Sequence, residues 1–468
     1  MAGPHAGGDD LQFLPNEAKV DEMLRAMGKG SIEDLYADVP KEVQIDGLKL
    51  PPGMPELEVV AEVGGLLSED VTPDDFLSFL GAGMYDHFIP ATVPALVTRS
   101  EFLTSYTPYQ PEASQGMLQA MFEYQSLVCA LTGMEVANIS MYDGATAMAE
   151  AALMAARITG KDRVVVPKAM DPEKRSVLHN YTYGAGLKIV EVPYDATTGQ
   201  IDRERLVAAV DAQTACVYLE SPNFFGCIEE ALVDVRPDLK GALLVVGTHP
   251  VSLGILKPPG DLGADIVVAD GQGIGVPMSL GGPTFGLFAT RKKHARQMPG
   301  RIIGLSKDDS GRRAFHMALQ TREQHIRRSK ATSNICTNEN LMALSFAVHL
   351  ATVGRQGLVR MAKTSAERAH YLAKAIDAID GFRAPHFRSD FFNEFTVRTD
   401  HEVGALVPAM MMEAIFIGVP LKRHFPELGE AFLMATTERH TRADLDDVAV
   451  SLRAFHDDPE AWAGGGEE

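Results

Sequence analysis

From about residue 133 to residue 290 the chain alternates short β-branched runs with amphipathic, capped stretches, and this alternation restricts the fold more than any other feature. Gly133 stops a helix whose apolar period runs through Met117, Leu118, Met121, Phe122, Leu127, Val128 and Leu131. An Ala-rich helix (Thr146–Ile158, stopped by Gly160) then leads to a strand (Arg163–Val166). A helix at Lys174–Tyr181 precedes the strand Lys188–Val192, and a helix capped by Asp202 and running to Val210 precedes Ala215–Leu219. A helix over Val233–Leu239 leads to strands at Ala242–Val246, Ile266–Val268 and Phe285–Ala289. Strands separated by helices imply βαβ crossovers and a mostly parallel sheet with helices on both faces, an α/β fold.

The flanks read differently. Residues 1–80 carry short acidic helices (Asn16–Met27, Ser31–Tyr36) between segments such as Leu50-Pro51-Pro52-Gly53, as expected of an N-terminal arm with little core. After helices at Met342–Leu350 and Val359–Ile379 come strand-like pieces (Phe392–Val397, Ala431–Thr436) and a capped helix, Thr441–Phe455. The expected domains are therefore the arm (1–80), a large domain (81–360) and a smaller C-terminal α+β domain (361–468). The only low-complexity tract is Gly464–Glu468.

Composition excludes several classes of function. A formal charge of −20 argues against nucleic acid and anionic membranes as main partners, and no apolar run is long enough to span a bilayer. Cys129, Cys216, Cys227 and Cys336 lack C-x-x-C spacing, so neither a metal site nor a disulfide framework is expected, and buried reduced thiols are. Met1–Asp10 has neither a basic nor an apolar leader pattern, so a bacterial cytoplasm is the expected compartment.

Several segments carry chemistry. Ala264–Gly273 is a β-branched strand running into a polar turn, followed by Gly275-Val276-Pro277 and Gly281-Gly282-Pro283. The layout suits a lysine that forms a Schiff base with a cofactor aldehyde, yet Gln272 stands there, and no lysine lies between Lys257 and Lys292. The strand end Gly247-Thr248-His249 lacks the aspartate that pairs with a pyridine nitrogen in fold-type-I pyridoxal enzymes. His249 is either a packed cleft residue or an acid–base group. Asp143-Gly144 opens the Ala-rich helix as an N-cap or as a phosphate cradle, and the negative charge of Asp143 favours the cap. Tyr106, Tyr109 and Gln110 sit in a loop stiffened by Pro108 and Pro111, either as a cleft wall or as a plain helix-start loop with hydroxyls bonded to backbone. A basic run from Met298 to Lys330, containing Arg322 and His325, reads as a solvated helix face or as the backing of an anion site. It ends in the hydroxyl-rich turn Thr332-Ser333-Asn334.

Tyr106–Gly116 (YTPYQPEASQG), Gly275–Pro283 (GVPMSLGGP), Met298–Gly304 (MPGRIIG) and Leu319–Thr337 (LQTREQHIRRSKATSNICT) together resemble the glycine decarboxylase P-protein family of the glycine cleavage system, in its split form, subunit 1. The resemblance covers essentially the whole chain. It implies a fold-type-I, pyridoxal-phosphate-dependent architecture whose cofactor lysine belongs to the other subunit, in keeping with Gln272. It further implies decarboxylation of glycine, transfer of the aminomethyl group to lipoamide on the H-protein, and an α2β2 assembly with a lysine-bearing subunit 2. Thr332 and Ser333 are expected to reach the phosphate of the partner's cofactor, the other reading being that one of them caps a helix beginning near Asn338, with Tyr106, Tyr109, Gln110, Arg322, His325 and Asn334 lining the cleft or interface. The alternatives are a self-contained pyridoxal enzyme that uses a lysine elsewhere, and a purely structural or regulatory subunit.

Overall fold

The structure, a computed structural model, describes residues 17–45 and 47–462. The leader reading at Met1–Asp10 and the tract Gly464–Glu468 lie outside the described residues. The chain forms two compact units, Met1–Asp70 and Val71–Glu468.

In the first unit, α1 (Val20–Ala26) and α2 (Glu56–Leu67) join 3-10 turns at Glu17–Lys19, Glu33–Tyr36 and Lys41–Val43. Leu24 is its one buried apolar side chain among the described residues. The sequence reading missed α2, which starts directly after Pro55, a residue that pre-sets backbone geometry at a helix start.

In the second unit, α3 (Gln115–Thr132) ends at Gly133, whose φ of 69° is the left-handed stop its position predicts. Then follow β1 (Val136–Ala137), α4 (Gly144–Thr159), β2 (Arg163–Pro167), α5 (Pro172–Tyr183), β3 (Lys188–Val192), α6 (Arg203–Ala209), β4 (Thr214–Ser221), β5 (Leu243–Thr248), β6 (Ile266–Asp270) and β7 (Gly286–Thr290). They form a seven-stranded sheet in the order β1-β7-β6-β5-β4-β2-β3. Strands β2 to β6 run parallel, while β7 and β1 are antiparallel to their neighbours. β4 and β5 are buried throughout, as parallel strands covered on both faces must be. Along each strand the side chains alternate between two cores. Val165, Val217 and Leu244 pack with α3, whereas Val164, Cys216 and Val245 pack with α4.

Two expectations fail here. Val233–Leu239 is not a helix but two 3-10 turns, Glu230–Val233 and Arg236–Leu239, because Pro237 cannot donate a backbone hydrogen bond. The basic run is not a helix face either. Most of it is a hairpin, β8 (Ile302–Lys307) against β9 (Arg313–Ala318), turned by Asp308, which accepts from the Ser310 and Arg312 amides. Its inner face buries Ile303, Phe315 and Met317, with Phe315 5.4 Å from the Phe122 ring on α3. Counting cations hid that two-residue apolar period.

The helix α7 (Asn340–Asp377) breaks at Gly354, which has φ 61° and ψ −176°. On both sides of that break it packs in the large core, with Leu344 and Phe346 before it and Leu358 and Ala362 after it, and its last turns pack Ala369, Leu372 and Ile376 in a separate one. That second core lies against an antiparallel sheet of β10 (Phe382–Arg383), β11 (Glu394–Thr399), β12 (Val419–Pro420) and β13 (Ala431–Ala435), in the order β10-β11-β13-β12. It also takes in α8 (Val403–Met412) and α9 (Arg442–Asp457), the latter begun by a Thr441–Asp444 capping box. Leu77–Ser78 pairs with Ile415–Phe416, which ties the last residues of the expected arm into the second unit.

Candidate active-site cleft

In open α/β sheets ligands bind beyond the carboxyl ends of the strands. Glu220, Thr248 and Asp270 occupy those ends on β4, β5 and β6. Gln272 follows β6, is 3% exposed, and has its amide fully engaged. Its Oε1 accepts from the Tyr85 amide (2.9 Å), and its Nε2 donates to the carbonyls of Tyr85 and Val276 (both 3.0 Å). The side chain thus works as a clamp on the segment around Tyr85. The Tyr85 hydroxyl in turn donates to Glu394 Oε2 (2.8 Å), whose other oxygen accepts from the Ala82 amide (2.6 Å). Burial pushes the Glu394 carboxyl up to about 7.

The start of α4 is closed by the chain's own carboxylates. Asp143 caps it reciprocally with Thr146, and Asp270 accepts from the Gly144 amide at 3.0 Å. Asp270 also accepts from the Gln272 amide and the Thr284 hydroxyl. The capping reading of Asp143 holds, and two carboxylates at that helix start repel a phosphate. This cleft therefore does not fit a covalently held pyridoxal phosphate. A lysine does stand in it, Lys174 on α5, paired with Glu220. Burial would lower its pKa, but the charges of Glu220 and its neighbours outweigh that and raise it, so the amine stays protonated and non-nucleophilic. The cavity that remains is about 50 Å3, far below a cofactor-sized site of several hundred Å3.

The predicted site residues gather elsewhere, at the edge of β8. The Tyr109 hydroxyl accepts from Arg301 Nη2 (2.9 Å), and the Tyr109 ring lies 5.3 Å from that guanidinium and 6.2 Å from the His325 ring. The Tyr106 hydroxyl meets the Thr337 hydroxyl at 2.7 Å. These phenols bond side chains, so the reading with hydroxyls on backbone fails. Arg322 is turned inward, donating to the carbonyls of Met298, Gly300 and Leu319. Gln110 and Asn334 are exposed. Arg301, Arg322, Thr332, Ser333 and Cys336 line one shallow depression. The Thr332 amide donates to the Arg322 carbonyl (3.1 Å), and the Ser333 hydroxyl donates to the buried Glu150 (2.5 Å) while accepting from the Ile335 amide. Neither residue caps α7, whose N-cap is Glu339. His249 packs edge-on against Tyr85, with both ring nitrogens unpartnered.

Sequence reasoning missed Lys174, Glu220, Tyr85 and Glu394. They come from four separate stretches of chain that only the fold brings together, and Tyr85 sits in no motif. The expectation of buried thiols holds at Cys216 and Cys227 and fails at Cys336, which is exposed, while Cys129 is half-buried. Among the described residues no cluster of metal-ligating side chains forms and no helix is long and apolar enough to cross a membrane.

The large sheet, the interrupted helix and the small antiparallel domain are those of fold-type-I pyridoxal-phosphate enzymes. A sphingosine-1-phosphate lyase from Burkholderia pseudomallei superposes with a TM-score of 0.62 at 17% identity, over 92% of this chain and all of that one, a likeness of fold alone. A solved structure of glycine decarboxylase (P-protein) of the glycine cleavage system, in inhibitor-bound form, superposes with a TM-score of 0.86 at 41% identity, covering 94% of this chain and 98% of that one. The glycine cleavage system P-protein family model matches residues 12–452. A probable glycine dehydrogenase (decarboxylating) subunit 1 of Desulfitobacterium hafniense is 46% identical over 94% of this chain and 99% of its own length. Its counterpart in Thermococcus onnurineus is 50% identical over 94% and 98%. The chain belongs to the glycine cleavage system P-protein family.

Proposed function

We propose that this chain is the lysine-free subunit of a glycine dehydrogenase (decarboxylating), paired with a homologous chain that holds pyridoxal phosphate on its own lysine. The carrying observation is Gln272, buried and hydrogen-bonded on every amide group at the position where a Schiff-base lysine would stand. Bound in the partner, the cofactor supplies the electron sink for loss of carbon dioxide from glycine. This chain contributes the Thr332-Ser333 turn, whose hydroxyls face that cofactor's phosphate. Ser333 must first leave Glu150, while the backbone ties of Arg322 keep the turn in place. Tyr106, Tyr109, Gln110, His325 and Asn334 form the adjoining wall. The aminomethyl group passes to the lipoyl arm of the H-protein, and the assembly holds two copies of each subunit. Four free thiols suit the cytoplasm.

Coexpression with the lysine-bearing homologue tests this reading by glycine–bicarbonate exchange. Exchange is expected from the pair and from neither chain alone. Exchange by the lysine-bearing chain alone at the rate of the pair would reduce this chain to a structural role.

A further inference from the structure

The small cavity at the carboxyl ends of β4 to β6 is bounded by Tyr85, Lys174, Glu220, Thr248, His249 and Glu394. Its volume of about 50 Å3, at roughly 10–15 Å3 for each water-sized group, holds about three to five heavy atoms. Its walls keep hydrogen-bonding capacity that the chain does not use. One oxygen of Glu220 accepts from Lys174, but the other has no partner among the described residues, although Glu220 is only 7% exposed. Neither nitrogen of His249 is bonded. Burial, with help from His87 and Lys174, lowers the His249 pKa far enough to keep the ring neutral, so it offers one N–H and one lone pair. Buried polar groups are normally satisfied, and exceptions concentrate where something else completes them.

The unused groups are complementary to a particular chemistry. A buried carboxylate oxygen calls for a cationic donor. A neutral imidazole N–H beside a lysine ammonium calls for an anionic acceptor. All three side chains line one space too small for any extended side chain, with Lys174 bonded to the other oxygen of Glu220. A simple anion would meet Glu220, Asp171 and Asp270 with Lys174 alone to offset them, the one cation lining the cavity among the described residues.

We infer that this cleft binds a free α-amino acid zwitterion of glycine's size, its ammonium on the unpartnered Glu220 oxygen and its carboxylate against His249 and Lys174. The inference does not depend on the subunit role proposed above. Tyr85 is both a wall of the cavity and the residue clamped by Gln272 and Glu394, so occupancy is coupled to the placement of the segment from Ala82 to His87.

The test is calorimetric titration of the full-length chain, purified without its partner, with glycine, acetate, methylammonium and trimethylglycine. Glycine is expected to bind saturably, one per chain, with acetate and methylammonium each weaker by at least about tenfold and trimethylglycine not binding. Glu220→Gln is expected to weaken glycine binding by at least about tenfold, with circular dichroism reporting whether that variant folds. If it does not fold, the ligand series on the unmodified chain decides the matter. No saturable glycine heat up to tens of millimolar would show that the cavity holds water only and overturn the inference. Acetate binding as tightly as glycine, or full affinity in a folded Glu220→Gln chain, would also overturn it.

Discussion

At the scale of single residues, neither Gln272 nor Lys174 can do the work that one lysine does in a self-sufficient pyridoxal enzyme. Gln272 has no basic nitrogen, and Lys174 is held protonated by Glu220. Borohydride treatment of the isolated chain with added pyridoxal phosphate is therefore expected to leave no pyridoxyl-lysine on peptide mapping. A pyridoxyl group on Lys174 would revive the self-contained reading. Gln272→Lys should not restore the adduct, because Asp143 and Asp270 still close the start of α4. Thr332→Ala with Ser333→Ala is expected to weaken cofactor binding by the coexpressed complex by about two to four decades, since two hydrogen bonds to charged groups are worth about 1.5–3 kcal/mol each. Neither residue caps α7, so unchanged affinity in an assembled complex would rule out the phosphate contact. Glu394 carries a pH signature. Burial raises its folded pKa to about 7, so the folded chain holds this proton where the unfolded chain has lost it. Its contribution to stability is full below the ordinary carboxyl range and falls as pH rises through about 7, by roughly 3 kcal/mol in all. Glu394→Gln should flatten the dependence of unfolding free energy on pH between about 5 and 7. Glu229, also raised to about 7 by burial, leaves a residual slope. An unaltered slope would mean that Glu394 does not titrate in that window.

At the scale of elements, α7 breaks at Gly354 but passes from the large core to the small one only between Ala362 and Ala369. A φ of 61° with ψ near 180° is a conformation that side chains tolerate poorly, and a Cβ added there meets nothing within 4 Å. The cost of Gly354→Ala is thus backbone strain without steric clash, about 1–3 kcal/mol. A lowered melting temperature is expected. A raised one would show that α7 can straighten, with the higher helix propensity of alanine prevailing. The β8–β9 hairpin places Arg301 and Gly300, at the foot of β8, against the turn that carries Thr332 and Ser333. The basic stretch is therefore part strand, part brace.

At the scale of the whole molecule, a cleft that has lost its reactive group makes functional sense beside a partner that keeps one. Size-exclusion chromatography with light scattering on the coexpressed subunits should give a single species with two copies of each. Two non-interacting peaks would refute the pairing. An obligate interface of the proposed kind would bury on the order of 2,000 Å2 or more of largely apolar surface. The first unit has surface of that character to offer, with Leu57, Val60, Leu66 and Leu67 of α2 all exposed.

The sequence by itself determined the mostly parallel sheet, because β-branched runs separated by capped helices call for parallel crossovers. It determined the stop at Gly133, the cap at Asp143 and the absence of a lysine near Gln272, since each depends on residues close together in the chain. The hairpin at Ile302–Ala318 was hidden because its period of two is short and its charges dominate the count. Only the tertiary structure decided the contents of the cleft. Tyr85, Lys174, Glu220 and Glu394 come from four distant segments, and their meeting depends on how β4 and β11 and the start of α5 converge. Hydrogen bonds between residues hundreds of positions apart, such as Tyr85 to Glu394 and Tyr85 to Gln272, leave no periodic trace in a single chain. They exist because burial leaves those groups no other partner.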